Sequence, residues 1–173
     1  MINEQEKIEA KDINIEVINE RHHFDNFKSS ELELINFLRE DALDNHKLKL
    51  SVTFLWFYQE EIVLYITLLS DRITLDGELQ QFFKGKDILY RSLPALKIGR
   101  LCVDERFQKR GLGKLMIIFA IEKAKEIARD KAGCRFITVD PKDRSVAFYS
   151  KLNFKPIKTK NEQHTFYLDV LRP

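Results

Sequence analysis

The chain has 173 residues, of which 44% are hydrophobic and 32% are charged, and its formal net charge is +2. This length suits one domain with a full hydrophobic core, and we expect a single domain over residues 1–173 whose polar start, residues 1–11, is frayed. The small net charge gives no global electrostatic reason to expect binding to nucleic acid or a membrane, and no apolar run approaches the length that spans a bilayer.

The first elements in the chain are predicted to be a strand and a helix. Apolar and polar residues alternate over 13–17, which is the period of a half-buried strand. Ser30 and Glu33 have the spacing of a capping box, so we expect a helix to start there and to extend to about residue 46.

Two apolar runs follow, 52–58 and 62–69, both rich in β-branched and aromatic residues. The short polar segment between them predicts a hairpin. Residues 71–92 fit either a short helix or a substrate-binding loop, since long irregular loops are often functional. Residues 95–103 then predict a central strand.

The second half of the chain begins with a polar loop, 104–110, and a long amphipathic helix from Gly111. The helix carries an apolar stripe at helical spacing, formed by Ile117, Ala120, Ile121, Ala124, Ile127 and Ala128. The remaining predicted elements are strand 136–139, helix 144–152 with Asp143 as its N-cap, and strands 155–157 and 165–170. This order indicates a mixed α/β fold around one sheet.

The two cysteines, Cys102 and Cys134, have neither the spacing of a metal site nor that of a disulfide framework. We therefore expect reduced thiols, no bound metal and a cytoplasmic protein. Residues 1–20 are charged and lack an apolar segment, unlike a signal peptide.

The segment between the central strand and the long helix has the features of an anion-binding site. Glycines at 111 and 113 let the backbone turn tightly and approach a ligand closely, and the first amides of a helix point outward without internal partners. The whole segment is Gln108, Lys109, Arg110, Gly111, Leu112, Gly113 and Lys114, with three basic side chains. It is neither a P-loop nor a dinucleotide-binding fingerprint. By itself the pattern fits a simple helix-entry turn equally well.

Two motifs carry a family resemblance. The run Leu101-Cys102-Val103-Asp104 with Gln108-x-x-Gly111-x-Gly113 resembles motif A of the GNAT N-acetyltransferase superfamily. Downstream, Ala147-Phe148-Tyr149-x-x-Leu152-Asn153-Phe154 resembles the tyrosine helix of that family. The resemblance is strongest over residues 95–157. It implies a central, mostly antiparallel sheet with one splayed parallel pair, flanked by helices.

The resemblance also implies a cofactor and a reaction. Backbone groups of Leu101, Cys102 and Val103 would pair with the pantetheine of acetyl-CoA, and an amide near Leu101 would polarise the thioester carbonyl. Amides from Gln108 to Lys114 would bind the pyrophosphate. Tyr149 would lie near the sulfur and protonate the leaving thiolate as general acid. The implied activity is acetyl transfer to a primary amine by direct attack.

Some features depart from the family pattern or stay open. Lys142 stands where an asparagine is common. A covalent route through Cys102 is an alternative to packing in the strand. No general base stands out, and Glu60, Glu61, Asp71 and Glu78 are candidates by location alone.

The first half of the chain is similar to a branch of the family, the toxins that acetylate aminoacyl-tRNA and pair with a ribbon-helix-helix antitoxin. The acceptor is thus a small molecule, a peptide or an aminoacyl-tRNA. A basic bias over residues 84–114 is compatible with RNA, with the phosphates of the cofactor, or with a solvated surface. A non-catalytic acyl-CoA sensor is the alternative outside enzymes. The family tendency predicts a homodimer.

Overall fold

The structure, a computed structural model, describes residues 6–157 and 165–172. Its helices are α1 (Leu32–Asn36), α2 (Ala42–Lys47), α3 (Gly77–Lys84), α4 (Leu112–Asp130) and α5 (Asp143–Lys151). Its strands are β1 (Asn14–Val17), β2 (Val52–Tyr58), β3 (Glu61–Thr74), β4 (Ser92–Val103), β5 (Phe136–Val139), β6 (Lys155–Ile157) and β7 (Thr165–Asp169). Turns of 3-10 helix form at Ala10–Asp12 and Glu105–Phe107, and a π-helical turn, Phe37–Asp41, joins α1 to α2. Across these residues, no helix combines the length and apolar character needed to cross a bilayer.

Within the described residues, the strands form a seven-stranded mixed sheet in the order β1-β2-β3-β4-β5-β7-β6. The pairs β1–β2, β2–β3, β5–β7 and β6–β7 are antiparallel, whereas β4 and β5 are parallel. Parallel neighbours need a long crossover connection, and α4 lies in this connection. The predicted fold class, a mostly antiparallel mixed sheet with a parallel pair and flanking helices, is confirmed.

The backbone forms two compact units. The first unit comprises Met1–Leu69 and Gly99–Phe119, and the second comprises Ser70–Ile98 and Ala120–Pro173. The prediction of a single domain over residues 1–173 stays a prediction.

The core of the first unit lies between the α1–α2 segment and strands β2 and β3. Its buried members are Ile18, Phe27, Leu38, Ala42, Leu55, Tyr65 and Cys102. The buried Tyr65 hydroxyl donates to the carbonyl oxygen of Leu34 at 2.7 Å, which satisfies the polar end of an otherwise apolar side chain. The predicted hairpin is confirmed, because Gln59 and Glu60 connect β2 to β3 with φ of 49° and 66°.

Two details at the start of the chain differ from the sequence prediction. All four residues of β1, a strand at the edge of the sheet, are exposed rather than half-buried, so neither face of the strand is covered. The predicted capping box is wrong: the N-cap of α1 is Glu31, without a side-chain cap bond. The Ser29 hydroxyl instead accepts from the Glu31 amide at 3.1 Å, a local turn that competes with helix capping.

The ambiguous segment 71–92 contains the end of β3 and a short helix. Strand β3 extends to Thr74, and Asp76 caps α3 by accepting from the Gly77 amide at 2.7 Å. The core of the second unit includes Phe83 from this helix. Its buried residues are Ile73, Leu75, Phe83, Ala95 and Phe136.

Helices α4 and α5 lie where they were predicted, but the buried residues of α4 and the N-cap of α5 differ from the prediction. In α4 the buried stripe includes Leu112 and Met116, whereas Ala128 is exposed. Helix α5 starts at Asp143, so this residue is not the N-cap; Lys142 occupies that position without a side-chain cap bond.

Candidate functional site

A buried aspartate organises the turn that follows β4. Asp104 is fully buried and its carboxylate accepts from the amides of Lys28 and Arg106, each at 2.9 Å. The Arg106 guanidinium donates to both carboxylate oxygens, at 2.9 and 3.0 Å, in the bidentate geometry that makes such pairs strong. The turn Glu105–Phe107 therefore leaves the end of β4 in a fixed direction.

We call Asp104, Arg106 and the Lys28 amide the clasp. Its electrostatics favour the ionised aspartate. Burial opposes ionisation, but the hydrogen bonds from the Arg106 side chain and from the Lys28 and Arg106 amides outweigh it, and the net effect lowers the pKa of Asp104. Glu61 lies on the outer side of Arg106, with a 2.7 Å ion pair. One candidate base from the sequence is thus engaged in holding the turn.

The next segment, Gln108–Lys114, forms the predicted helix entry. Lys109 and Gly111 adopt the left-handed region with φ of 62° and 85°, and α4 begins at Leu112. A side chain added at Gly111 would meet no atom within 4 Å. The open space over this backbone and the first amides of α4, which have no intrahelical acceptors, leave room for an anion.

The basic side chains of the segment differ in their surroundings. Lys109 and Lys114 are exposed. The Arg110 guanidinium instead donates to the carbonyl oxygen of Glu6 at 2.9 Å and lies over the rings of Tyr58 and Phe107, 5.3 and 5.6 Å from their centres. All three side chains are positively charged, but only those of the two lysines extend into solvent without these contacts of Arg110.

The end of β4 holds the residues predicted to contact pantetheine. Pairing of β4 with β5 runs from Ala95 to Ile98, while β4 continues to Val103. The Val103 carbonyl oxygen accepts from the Gln108 side-chain amide at 3.4 Å, so the strand end and the loop are bonded to each other within the first unit. Leu101 is half-buried beside them.

Cys102 is buried in the core of the first unit. Burial raises the pKa of its thiol, against the opposing effect of a hydrogen bond with Ser29. A protonated thiol is a poor nucleophile, so this environment favours core packing over a covalent role for Cys102.

Tyr149 lies in the second unit, on α5. Its side chain is 5% exposed and makes edge contacts with Phe148 and Phe154, at ring separations of 5.0 and 5.3 Å. Burial raises the pKa of its phenol to about 12. The hydroxyl is therefore protonated at neutral pH, as a proton donor must be.

The other candidate bases have different environments. Asp71 accepts a hydrogen bond from the buried Thr138 hydroxyl at 2.5 Å. Glu60 is exposed in the hairpin turn. Glu78 is exposed on α3 and lines a cavity of about 500 Å³ with Lys155 and Tyr167. Of these carboxylates, Asp71 is held by Thr138 and Glu61 by Arg106.

Two features of the site were missed from the sequence. The sequence analysis assigned no role to the Asp104–Arg106 clasp, although Asp104 belongs to the family motif. An acidic and a basic residue two positions apart in a turn are a recognisable signal. The contact of Glu6 and Ile8 with the loop was also missed. A lone isoleucine in a polar stretch was its only trace in the sequence.

Fold and site together define the class of the protein. The family model of the acetyltransferase (GNAT) family matches residues 16–154. This range covers most of the chain, so the protein belongs to the acetyltransferase (GNAT) family, and the predicted membership is confirmed.

Several solved structures share the fold. AtaT complexed with acetyl-methionyl-tRNAfMet is similar with a TM-score of 0.81 and 20% identity, over 92% of this chain and 96% of that chain. A tyrosine-to-phenylalanine mutant of KacT has a TM-score of 0.80 and 20% identity, over 92% and 96%. AtaTR bound with AcCoA has a TM-score of 0.76 and 20% identity, over 93% and 95%. No curated protein sequence matches the chain at a significant level.

Proposed function

We propose that the protein is an acetyl-CoA-dependent N-acetyltransferase that acetylates a primary amine by direct attack. The observation that carries the proposal is the loop Gln108–Lys114, whose open backbone at Gly111 leads into the first turn of α4. In a member of the acetyltransferase family, an anion-binding helix start at this position is where the cofactor's pyrophosphate is expected.

The residues present fit the cofactor. Gly111 has φ of 85° and no atom within 4 Å of an added side chain, so its backbone is accessible. Exposed Lys109 and Lys114 supply positive charge. Acetyl-CoA, when bound, supplies an acetyl group activated as a thioester. The amides from Gln108 to Lys114 would hold its pyrophosphate, and the backbone of Leu101, Cys102 and Val103 would hold its pantetheine arm.

Tyr149 is proposed as the general acid. Burial keeps its phenol protonated at neutral pH, so the hydroxyl carries a proton that it can donate as charge develops on the leaving sulfur. Burial also limits the access of water to the hydroxyl. The protonated, buried Cys102 thiol supports direct attack over a covalent cysteine intermediate.

The test replaces Tyr149 by phenylalanine, with exposed Tyr90→Phe as the matched control. We expect kcat to fall about 100-fold in the Tyr149 variant, whereas the Kd for CoA changes less than threefold and the control keeps wild-type kcat. Thiol release from acetyl-CoA with a panel of amines is the measurement. Full activity of the Tyr149 variant would rule out the acid role.

Aminoacyl-tRNA is the second candidate acceptor. The similarity to AtaT complexed with acetyl-methionyl-tRNAfMet extends over 92% of this chain. Phosphate contacts supply most affinity for RNA. In the second unit, exposed Lys84, Lys86 and Arg91 are available for such contacts beside the two lysines assigned to the cofactor.

The acceptor is tested with the purified full-length protein, acetyl-CoA and charged tRNA, beside free amino acids, polyamines and peptides. Acetylated aminoacyl-tRNA, and growth arrest on expression that Tyr149→Phe abolishes, would support this acceptor. Acetylation of another amine alone would exclude it. Tight binding of acetyl-CoA without transfer to any amine would instead support the sensor alternative.

A further inference from the structure

The N-terminal segment Glu6–Ile8, which we call the strap, contacts the loop Gln108–Lys114 within the first unit. We call this loop the cofactor loop, after its proposed role. The Ile8 amide donates to the carbonyl oxygen of Arg110 at 3.1 Å. In return, the Arg110 guanidinium donates to the carbonyl oxygen of Glu6 at 2.9 Å. The strap and Arg110 are therefore joined by two bonds that run in opposite directions.

Ile8 is the anchor of this contact. Its side chain is 4% exposed, whereas Glu6, Lys7, Glu9 and Ala10 around it are exposed. Burial of one apolar side chain in a polar stretch fixes the position of its own backbone amide. The predicted fraying of residues 1–11 stays a prediction, and the contact at Ile8 limits it to the residues around that anchor.

Arg110 lies at the point of the loop where backbone geometry is most demanding. Its neighbours Lys109 and Gly111 have φ of 62° and 85°, and the left-handed region is unfavourable for a lysine. Such a turn persists when surrounding contacts determine it. The strap supplies one contact to the Arg110 backbone and one to its side chain, which also packs on Tyr58 and Phe107.

We propose that Ile8 and Arg110 are positioning residues, and that the strap holds the Lys109–Gly111 turn so that the first amides of α4 are directed at the pyrophosphate. This inference rests on the proposed acetyl-CoA function. It assigns Arg110 a role through backbone placement rather than through direct charge on a phosphate. The strap is thereby part of the cofactor site although it is distant from it in sequence.

The first experiment uses the full chain with Ile8→Asp. Ala10→Asp adds the same charge at an exposed position two residues away, and Ile8→Val keeps the anchor. We expect the Kd for CoA, measured calorimetrically below the unfolding transition of every variant, to rise about tenfold for Ile8→Asp and less than twofold for the two controls. If the strap only stabilised the fold, the unfolding midpoint would fall while the Kd stayed unchanged, and the proposal would be overturned.

The second experiment separates positioning from charge. Arg110→Lys keeps the positive charge but loses the planar guanidinium that donates to Glu6 and stacks on two rings. We expect Arg110→Lys to weaken CoA binding nearly as much as Arg110→Ala, with the salt dependence of Kd unchanged. Wild-type affinity of the lysine variant for CoA would mean that the charge of Arg110 alone matters. This result would contradict the proposed role of the strap.

A third measurement does not depend on the cofactor. Hydrogen exchange in the free protein should speed up over residues 109–113 in Ile8→Asp and stay unchanged in Ala10→Asp. Unchanged exchange would overturn the strap even if CoA binds. Failure of the wild-type protein to bind CoA, with exchange altered as expected, would overturn the proposed function and leave the strap in place.

Discussion

At the scale of single residues, Asp104 shows how a buried charge is maintained by its partners. Two backbone amides and a bidentate guanidinium surround its carboxylate. Removing the carboxylate would leave the Lys28 and Arg106 amides without their charged acceptor, whereas the exposed Arg106 side chain keeps its ion pair with Glu61. The clasp lies immediately before the cofactor loop, so its integrity and the direction of the loop are linked.

We predict that Asp104→Asn destabilises the protein by about 1–3 kcal/mol at neutral pH, because the hydrogen bonds that the buried carboxylate accepts are weakened or lost. The folded-state pKa of Asp104 is lowered, so its contribution to stability is present above the ordinary aspartate pKa and is lost as the pH falls through the folded value. Urea unfolding of the wild type should therefore show a loss of stability in acid that is smaller in the variant. The exposed Asp25→Asn is the control, and equal acid dependence in both variants would contradict the prediction.

The surroundings of Cys102 and Tyr149 also show what the sequence could not predict about these two residues. From the sequence, Cys102 fitted both a nucleophile and a packed strand residue. Its burial and raised pKa depend on helices and strands that pack over it, which no local pattern contains. For Tyr149 the family motif identified the residue, while its burial is a result of the contacts with Phe148 and Phe154.

At the scale of elements, hydrophobic patterns predicted the type of most helices and strands correctly, but they predicted where an element begins less well. Strand β5 was predicted at its observed bounds, 136–139, because a short apolar run between polar residues suffices to identify it. The start of α1 was missed, because the choice among Ser29, Ser30 and Glu31 depends on local hydrogen bonds. The exposure of β1 was missed since it depends on what covers the sheet.

The hairpin between β2 and β3 offers a test at this scale. Gln59 and Glu60 both have positive φ, as two-residue hairpin turns of type I′ require, and glycine is preferred at the second position. We predict that Glu60→Gly stabilises the protein by up to about 1 kcal/mol, as measured by urea unfolding. Asp44→Gly, at an exposed site in α2, should instead destabilise by about 1 kcal/mol. Destabilisation by both changes would contradict the turn geometry.

At the scale of the whole molecule, ligand binding should stabilise the fold. If acetyl-CoA is the cofactor, as proposed, it binds the folded chain and not the unfolded one, so at about 100 times its Kd it should add roughly 2.7 kcal/mol to the free energy of unfolding. Thermal unfolding with and without acetyl-CoA is the measurement. No shift at saturating cofactor would contradict the proposed function.

The matched variant for that measurement is Gly111→Val. A β-branched residue disfavours φ of 85°, and its side chain would fill the space left open over the loop. We expect the acetyl-CoA shift to disappear in this variant. In Gly85→Ala, where the added carbon makes only ordinary contacts of 3.5 Å and more, the shift should be retained.

The sequence by itself determined the mixed α/β class and the order of most elements, because hydrophobic periodicity is a local property of the chain. Its two motifs also resembled the acetyltransferase (GNAT) family, to which the chain belongs. Only the tertiary structure decided that Arg110 is bonded to Glu6, that Ile8 is anchored, and that Asp104 and Arg106 form a clasp with Lys28. The contacts of the loop with Glu6 and Ile8 and of Asp104 with Lys28 join residues distant along the chain, and their formation depends on packing that no local pattern contains. The loop Gln108–Lys114 was predicted from its local pattern, whereas the contacts that hold it in place were not.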